Sequence, residues 1–593
     1  MSRARSKRKT PTTSTGQGVF GSGGRPARAM CMDAPRKSMI GSQLQDVVSA
    51  CKSGWRVLKH RGPSRIQFWF IALIIGIAAG CAAVLFRSGI TLLQQSFYGA
   101  DNIRMIHSFA ETLPWYVVLL IPIFGGLTVG LILHNFTSDG KVRSVAEVIE
   151  GAAMKDGRVE VKEGLASAAA SMITLGTGGS TGREGPVVHL AAVISTWVSK
   201  RLHADGITGR DLLGCAVAAA VSASFNAPIA GALFALEVVL RHFAVHAFAP
   251  IVIASVAGTV ISRLAFGDIT EFSLGGVGVL AFYVELPAFL ILGLLSGLVA
   301  VLMMRSIFWA DDLGTYFQRY TRLPRYLRPA VAGAFLGGIA IFFPHIIGVG
   351  YETTSAALTG NLLLHDAVVF CVLKVVAVAI TMAGRMGGGV FSPSLMVGAL
   401  LGLAFGLIAT GLAPNISGSE TLYALAGMGA VAAAVLGAPI STTLIVFELT
   451  GDWQTGLAVM VAVSMSTALA SRLVDRSFFL TQLERRNVHL AAGPQAYLLS
   501  MFRVANVMRA ADDPRAAPDD AIWEAIEGGF TIDRNATLEQ AMPIFEATNR
   551  QFLAVVTLGE EGEAPQIHGA LFNVDALRAY NRALAATAAE EHS

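Results

Sequence analysis

Residues 176–186 read Gly-Thr-Gly-Gly-Ser-Thr-Gly-Arg-Glu-Gly-Pro, a glycine-rich segment that carries one carboxylate between two long apolar runs. Glycines leave backbone N–H groups sterically open. The apolar run Val187–Val198 that follows can form a helix whose positive N-terminus points back at those groups. The chemistry this allows is anion binding, and Glu184 places a negative side chain where an anion would otherwise sit. A second segment, Gly387-Gly388-Gly389-Val390-Phe391-Ser392-Pro393, also ends in Gly-x-x-x-Pro and also opens an apolar run. Behind each comes a matching stretch at nearly the same separation. Phe225-Asn226-Ala227-Pro228 and onward to Glu237 aligns with Leu436-Gly437-Ala438-Pro439 and onward to Glu448, with Ala, Pro, Ile, Leu and Glu coinciding. Two anchors repeated in one order mark an internal duplication.

The elements that hold these loops lie in a membrane. Hydrophobic residues make up 53% of the 593 and charged residues 15%, and apolar runs of near-spanning length recur, as in Phe68–Phe86, Val117–Leu133 and Leu286–Met304. The runs are rich in Gly and Ala, which lets helices approach closely in lipid, and several are too short or broken to span alone. The expected fold is therefore an all-α polytopic membrane protein with interrupted helices. Duplicated halves of this kind, often inverted, build a site near the bilayer midplane where half-helix N-termini converge. Each terminus offers roughly half a positive charge and about 0.3–2 kcal/mol toward an anion. A buried cationic side chain would hold the anion too tightly to release it.

Residues 1–65 are polar and strongly basic, opening with Arg3, Arg5, Lys7, Arg8 and Lys9. On a membrane protein they read as a disordered cytoplasmic tail obeying the positive-inside rule rather than as a nucleic-acid arm. No cleaved signal peptide is expected, and Met39 is an alternative start. The membrane body is expected over 66–486, with repeat halves of about 66–270 and 280–486 and polar loops at Thr137–Val161 and Phe308–Pro329. Arg319, Arg322, Arg325 and Arg328 place the second loop in the cytoplasm, as Arg485 and Arg486 place the end of the body. Termini on one side require an even number of crossings. Residues 487–593 turn to a soluble pattern.

Other chemistries fail on their residues. Gly176–Arg183 lacks the Lys-Ser/Thr of a phosphate loop, and Gly427-Met428-Gly429-Ala430-Val431-Ala432 matches a dinucleotide fingerprint but follows a helical run, where close helix packing explains it better. The five cysteines, Cys31, Cys51, Cys81, Cys215 and Cys371, have no regular spacing and imply neither a disulfide framework nor a metal site. His189 stands alone on an apolar helix as a core histidine. Without a nucleophile-and-base pair or metal motif, an enzyme is not expected. A membrane-bound sensor using the tail as its effector domain is the rival class.

The segments Gly-Arg-Glu-Gly-Pro at 182–186 and Gly-Val-Phe-Ser-Pro at 389–393, joined by Asn-Ala-Pro at 226–228, resemble the signature loops of the CLC chloride channels and proton-coupled chloride antiporters, nearest the bacterial ClcB-type branch. The likeness covers about Ile66–Arg486 in family order. It implies a homodimer of inverted-repeat subunits, each with its own pore, embedded in lipid in the bacterial cytoplasmic (inner) membrane, and no cofactor. By the same alignment Glu184 is the gating glutamate, and backbone groups of Gly182, Arg183, Gly185, Gly389, Val390 and Phe391 bind the anion. Arg183 either raises the local potential or ties down loop carbonyls.

Three positions depart from the family pattern. The pore serine falls at Arg143 when the register is anchored on Glu147, with Ser144 one place away and Ser138 in another register. The pore tyrosine is replaced in Ser477-Phe478-Phe479, so Phe479 can wall the pore but has no hydroxyl. The second acid of the proton path is Val238, after Glu237, itself read as a structural helix-end acid like Glu448. These departures favour a chloride channel or weakly proton-coupled conductor over a strict antiporter. A fluoride exporter is disfavoured by Pro186 and the second loop.

In the tail, Val504–Met508, Thr531–Met542 with Thr537 or Asn535 as a helix cap, Leu553–Thr557 and Gly569–Leu577 read as a small α/β module of the cystathionine-β-synthase (CBS) type. There is room for barely more than one such module, and a structural cap is expected there rather than a nucleotide site.

Overall fold

The protein is described from a computed structural model over residues 65–99, 105–204, 206–268, 272–274, 283–414, 417, 419–488, 490, 499, 502–557 and 566–591. The basic tail, apart from Arg65, lies outside these residues, as do Cys31 and Cys51. The remaining three cysteines are free thiols, Cys81 exposed and Cys215 and Cys371 buried.

The first half comprises α1 (Arg65–Tyr98), α2 (Ile106–Glu111), α3 (Trp115–Phe136), α4 (Val145–Met154), α5 (Val161–Gly176), α6 (Glu184–Leu202), α7 (Gly206–Phe225), α8 (Pro228–Phe234), which continues as a π-helical turn Ala235–Leu240, and α9 (Val245–Phe266). The second half runs α10 (Leu286–Thr321), α11 (Arg328–Phe342), α12 (Tyr351–Leu358), α13 (Leu364–Ala383), α14 (Phe391–Leu412), α15 (Glu420–Leu436), α16 (Pro439–Thr450), α17 (Trp453–Leu473) and α18 (Phe478–Glu484). Among the described residues, seven helical stretches are long and apolar enough to cross a membrane. The shorter helices between them supply the interrupted ends.

Packing repeats as the sequence does. α6 packs on α7 and α14 on α15; α1 lies against α9 and α10 against α17; α8 meets its counterpart α16. Small residues make this possible, because α7 and α15 are buried on nearly every face. Gly427, the supposed fingerprint glycine, lies against α14, where an added Cβ would come within 2.8 Å of Gly402 Cα. Close packing is its role.

The duplicated glutamates serve one another's half. α8 and α16 each begin with proline at the first helical position, which leaves the next N–H groups as the unsatisfied donors. Glu448 accepts from Ile229 N (2.9 Å) and Ala230 N (2.8 Å) at the start of α8. Glu237 accepts from Ile440 N (3.0 Å) and Ser441 N (2.8 Å) at the start of α16. Each acid sits at a helix N-terminus of the opposite repeat. Glu448→Ala is expected to cost about 1–2 kcal/mol, the scale of a lost helix cap, seen as a lower unfolding midpoint in detergent. An unchanged midpoint would contradict a capping role.

The stretch read as a loop at Phe308–Pro329 is largely helical. α10 extends to Thr321, and Arg328 bonds back across it to Asp311 Oδ1 (2.8 Å), Thr315 Oγ1 (3.1 Å) and Gln318 Oε1 (3.2 Å). These contacts give the polar turns partners, so the helix continues past the apolar span. The other predicted loop, Thr137–Val161, contains α4.

The tail forms α19 (Val504–Val507), β1 (Arg509–Ala510), α20 (Asp519–Glu527), β2 (Thr531–Asp533), α21 (Leu538–Thr548), β3 (Phe552–Thr557), β4 (Gln566–Phe572) and α22 (Asn573–Glu591). The sheet order is β1-β4-β3-β2, with β2 parallel to β3 and the other pairs antiparallel. Val504, Leu538, Phe545, Leu553 and Leu571 fill its core, and Thr537 caps α21 in a capping box with Gln540. Arg503 Nη2 meets Asp156 Oδ2 at 2.7 Å, joining the module to the turn after α4.

Candidate functional site

The two glycine-rich loops meet at equivalent residues. Gly182 N–H donates to Gly389 O and Gly389 N–H to Gly182 O, both at 2.7 Å, in an antiparallel bridge. Reciprocal bonds between matching residues are what a two-fold axis between inverted halves produces. Thr181 Oγ1 adds a bond to Gly389 O at 2.9 Å. A Cβ on Gly389 would stand 3.0 Å from Gly185 N, so only glycine lets the loops close this far. The bridge sets the starts of α6 and α14 side by side. Pro186 and Pro393 occupy the third position of their helices, and the N–H groups there without an acceptor in their own helix are those of Glu184, Gly185, Phe391 and Ser392.

Glu184 opens α6 and is buried. Its Oε1 accepts from Ser392 Oγ at 2.5 Å, and Arg183 Nε stands 4.0 Å from the same oxygen. Oε2 has no hydrogen-bond partner among the described residues and lies where a side chain on Gly182 would be, 2.7 Å from that Cβ. The carboxylate thus folds over its own loop between two helix N-termini. Arg183 also donates from Nη2 to Ser224 O (2.9 Å) and covers the Tyr351 ring at 5.3 Å, so the carbonyl it ties belongs to the last turn of α7 and not to a loop, while the guanidinium also faces the carboxylate.

Beside Glu184 is a cavity of about 10 Å³, the room of about one water, walled by Val145, Val188, Val221, Phe234, Leu436 and Phe479 together with Gly185, Gly389, Val390 and Phe391. The walls are apolar apart from backbone. Phe479, Gly389 and Val390 also border a wider vestibule of about 370 Å³, lined by Ser144, Lys141, Arg319, Arg385, Arg485 and Arg486 and by Asp311 and Asp312. The order from the surface is therefore a mostly basic vestibule, a narrowing at Phe479, a small apolar chamber and the carboxylate. Such a path can admit a small anion and hold it by backbone dipoles.

The three candidate positions for the pore serine lie in different surroundings. Arg143 turns its guanidinium to Glu163 Oε2 (2.5 Å) and Asp139 Oδ2 (3.2 Å), and Ser138 Oγ donates to Glu163 Oε1 (2.9 Å). Ser144 reaches the vestibule instead, and its Oγ would lie 2.7 Å from a Cβ on Gly185. Ser144 caps α4 in a capping box with Glu147, whose carboxylate is paired with Arg486. His189 does more than fill the core. Its Nδ1 is 3.2 Å from Ser144 O, so α6 holds the serine's backbone in place.

The structure brings Gly182, Arg183, Glu184, Gly185, Gly389, Val390, Phe391, Ser144 and Phe479 into one region. The Phe391 ring packs on Phe225 (4.8 Å) and Phe234 (6.1 Å), leaving its backbone at the chamber. Sequence reasoning passed over Ser392, although it stands inside the second motif. Its hydroxyl is the side-chain donor to Glu184, a role that only the meeting of the two loops reveals.

The sequence model of a family described as voltage gated chloride channel matches residues 125–471. The chain is 33% identical over 396 residues to a putative chloride channel protein ClcB-like of Ralstonia nicotianae, across 66% of this chain and 91% of that protein. It is 28% identical over 415 residues to the voltage-gated ClC-type chloride channel ClcB of Escherichia coli, across 69% and 97%. Among solved structures, a slow cyanobacterial Cl−/H+ antiporter shares the fold with a TM-score of 0.63 at 20% identity, covering 72% of this chain and 98% of that one. The matched segment spans more than half of the chain and holds both glycine-rich loops, and this protein belongs to the voltage-gated chloride channel (CLC) family of membrane channels and transporters.

Proposed function

We propose that the protein conducts chloride through a pore in each subunit of a homodimer, with Glu184 as the gate. The observation that carries this reading is the carboxylate itself, held by Ser392 between two helix N-termini at the inner end of the vestibule path. A carboxylate at membrane depth costs several kcal/mol unless compensated, and this one lies where an anion would be compensated in the same way. Gly182, Arg183, Gly185, Gly389, Val390 and Phe391 supply the backbone of the anion sites, with Ser144 and Phe479 lining the entry. The pore would sit in the bacterial inner membrane with the vestibule and both termini in the cytoplasm. Residues 66–486 would form the conducting body and 487–593 a CBS-like module acting as a structural cap.

Channel-like or weakly coupled flux is favoured over strict exchange. Phe479 brings no hydroxyl to the narrowing. Glu237 is committed to the N–H groups of α16, and Val238 follows it. A proton path would need a further acid there, where Val238 stands. Reconstituted protein in a chloride gradient is expected to move chloride with little accompanying proton movement, read by paired chloride and pH electrodes. Robust uphill proton pumping would replace this reading with that of an antiporter.

A further inference from the structure

A second cavity of about 300 Å³ adjoins the vestibule, between the end of α3 and the start of α11. Its polar lining includes Arg325, Arg385, His134, Ser138 and Tyr326, against an apolar wall at Leu133. Arg385 borders both this cavity and the vestibule. Four nearby arginines are paired: Arg328 with Asp311, Arg143 with Glu163, Arg485 with Asp312 and Arg486 with Glu147. Arg325 and Arg385 have no carboxylate at ion-pair distance among the described residues, and Arg385 Nε is buried without a hydrogen-bond partner. Two guanidiniums lining one polar pocket, with Asp139 and Asp311 near Arg385 but outside ion-pair distance, suit a phosphate, which accepts bidentate bonds from each.

We propose that this cavity binds the phosphate of an anionic lipid headgroup, and that its occupancy neutralises Arg385 at the vestibule. The cavity lies at the end of the apolar span α3, whose last residue, the exposed Phe136, precedes the lining residue Thr137, the level at which aromatic side chains meet headgroups. Basic pockets between spanning helices at that level take headgroups of this kind. The effect on flux rests on the vestibule being the anion entrance; the binding does not.

The full chain in detergent, mixed with phosphatidylglycerol, is expected to retain lipid by native mass spectrometry. Arg325→Gln and Arg385→Gln should each lower retention roughly fivefold, while Arg322→Gln, outside the cavity, should not. Equal retention in all four proteins overturns the site. Displacement of the lipid by inorganic phosphate at matched concentration would assign the pocket to free phosphate instead. In vesicles, phosphatidylglycerol should slow chloride flux of the native protein more than that of Arg325→Gln; equal slowing breaks the link to the vestibule. A protein that retains lipid in this pattern and conducts no chloride leaves the site standing and refutes the functional reading.

Discussion

Glu184→Gln is expected to conduct chloride at a rate that no longer depends on pH. In the proposed role the ionised carboxylate would compete with the anion for two helix N-termini, and acid would remove the competitor, so flux should rise as pH falls. Glutamine keeps the shape and can still accept from Ser392 Oγ, which lies 2.5 Å from Oε1, but carries no charge. Its amide replaces Oε2, the oxygen without a hydrogen-bond partner. Flux at neutral pH should rise roughly tenfold, as loss of about 1.4 kcal/mol of competition would give. Chloride efflux from liposomes across a pH series measures both features. A variant with native rate and native pH response would remove Glu184 from the gate.

Gly389→Leu should abolish flux while the protein still folds. The Cβ alone would approach Gly185 N to 3.0 Å, and the rest of the side chain has to enter the space between the starts of α6 and α14. Relief means parting the loops, at the loss of two 2.7 Å bonds worth about 1 kcal/mol each and with about 1–3 kcal/mol of overpacking. A large helical body can tolerate that, whereas the proposed anion path, with about 10 Å³ beside Glu184, cannot. Normal conduction by a variant of native elution volume would show that this bridge does not shape the pore.

Much of the site was legible because its logic is local. A glycine-rich loop, an acid and an apolar helix appear as consecutive letters, and the duplication shows in the matching of Pro228 to Pro439 and Glu237 to Glu448. What remained hidden depends on residues distant in sequence. Ser392 meets Glu184 only because the loops pair, and the choice between Arg143 and Ser144 needed Glu163 to claim the arginine. The α10 extension was missed because its polar residues imitate a loop until Arg328 folds back on them. Glu237 and Glu448 were read correctly as helix-end acids, yet the ends they serve lie in the opposite repeat.

That exchange of caps bears on how the protein comes to exist. When the first half leaves the ribosome, the N–H groups opening α8 have no acceptor, and Glu237 has no donors, until residues two hundred positions later have been made. Each half is thus incomplete by one carboxylate and one helix start, and completes the other. A half-length chain carrying one such acid and one such proline-led helix has the groups to close the same contacts with a second copy of itself.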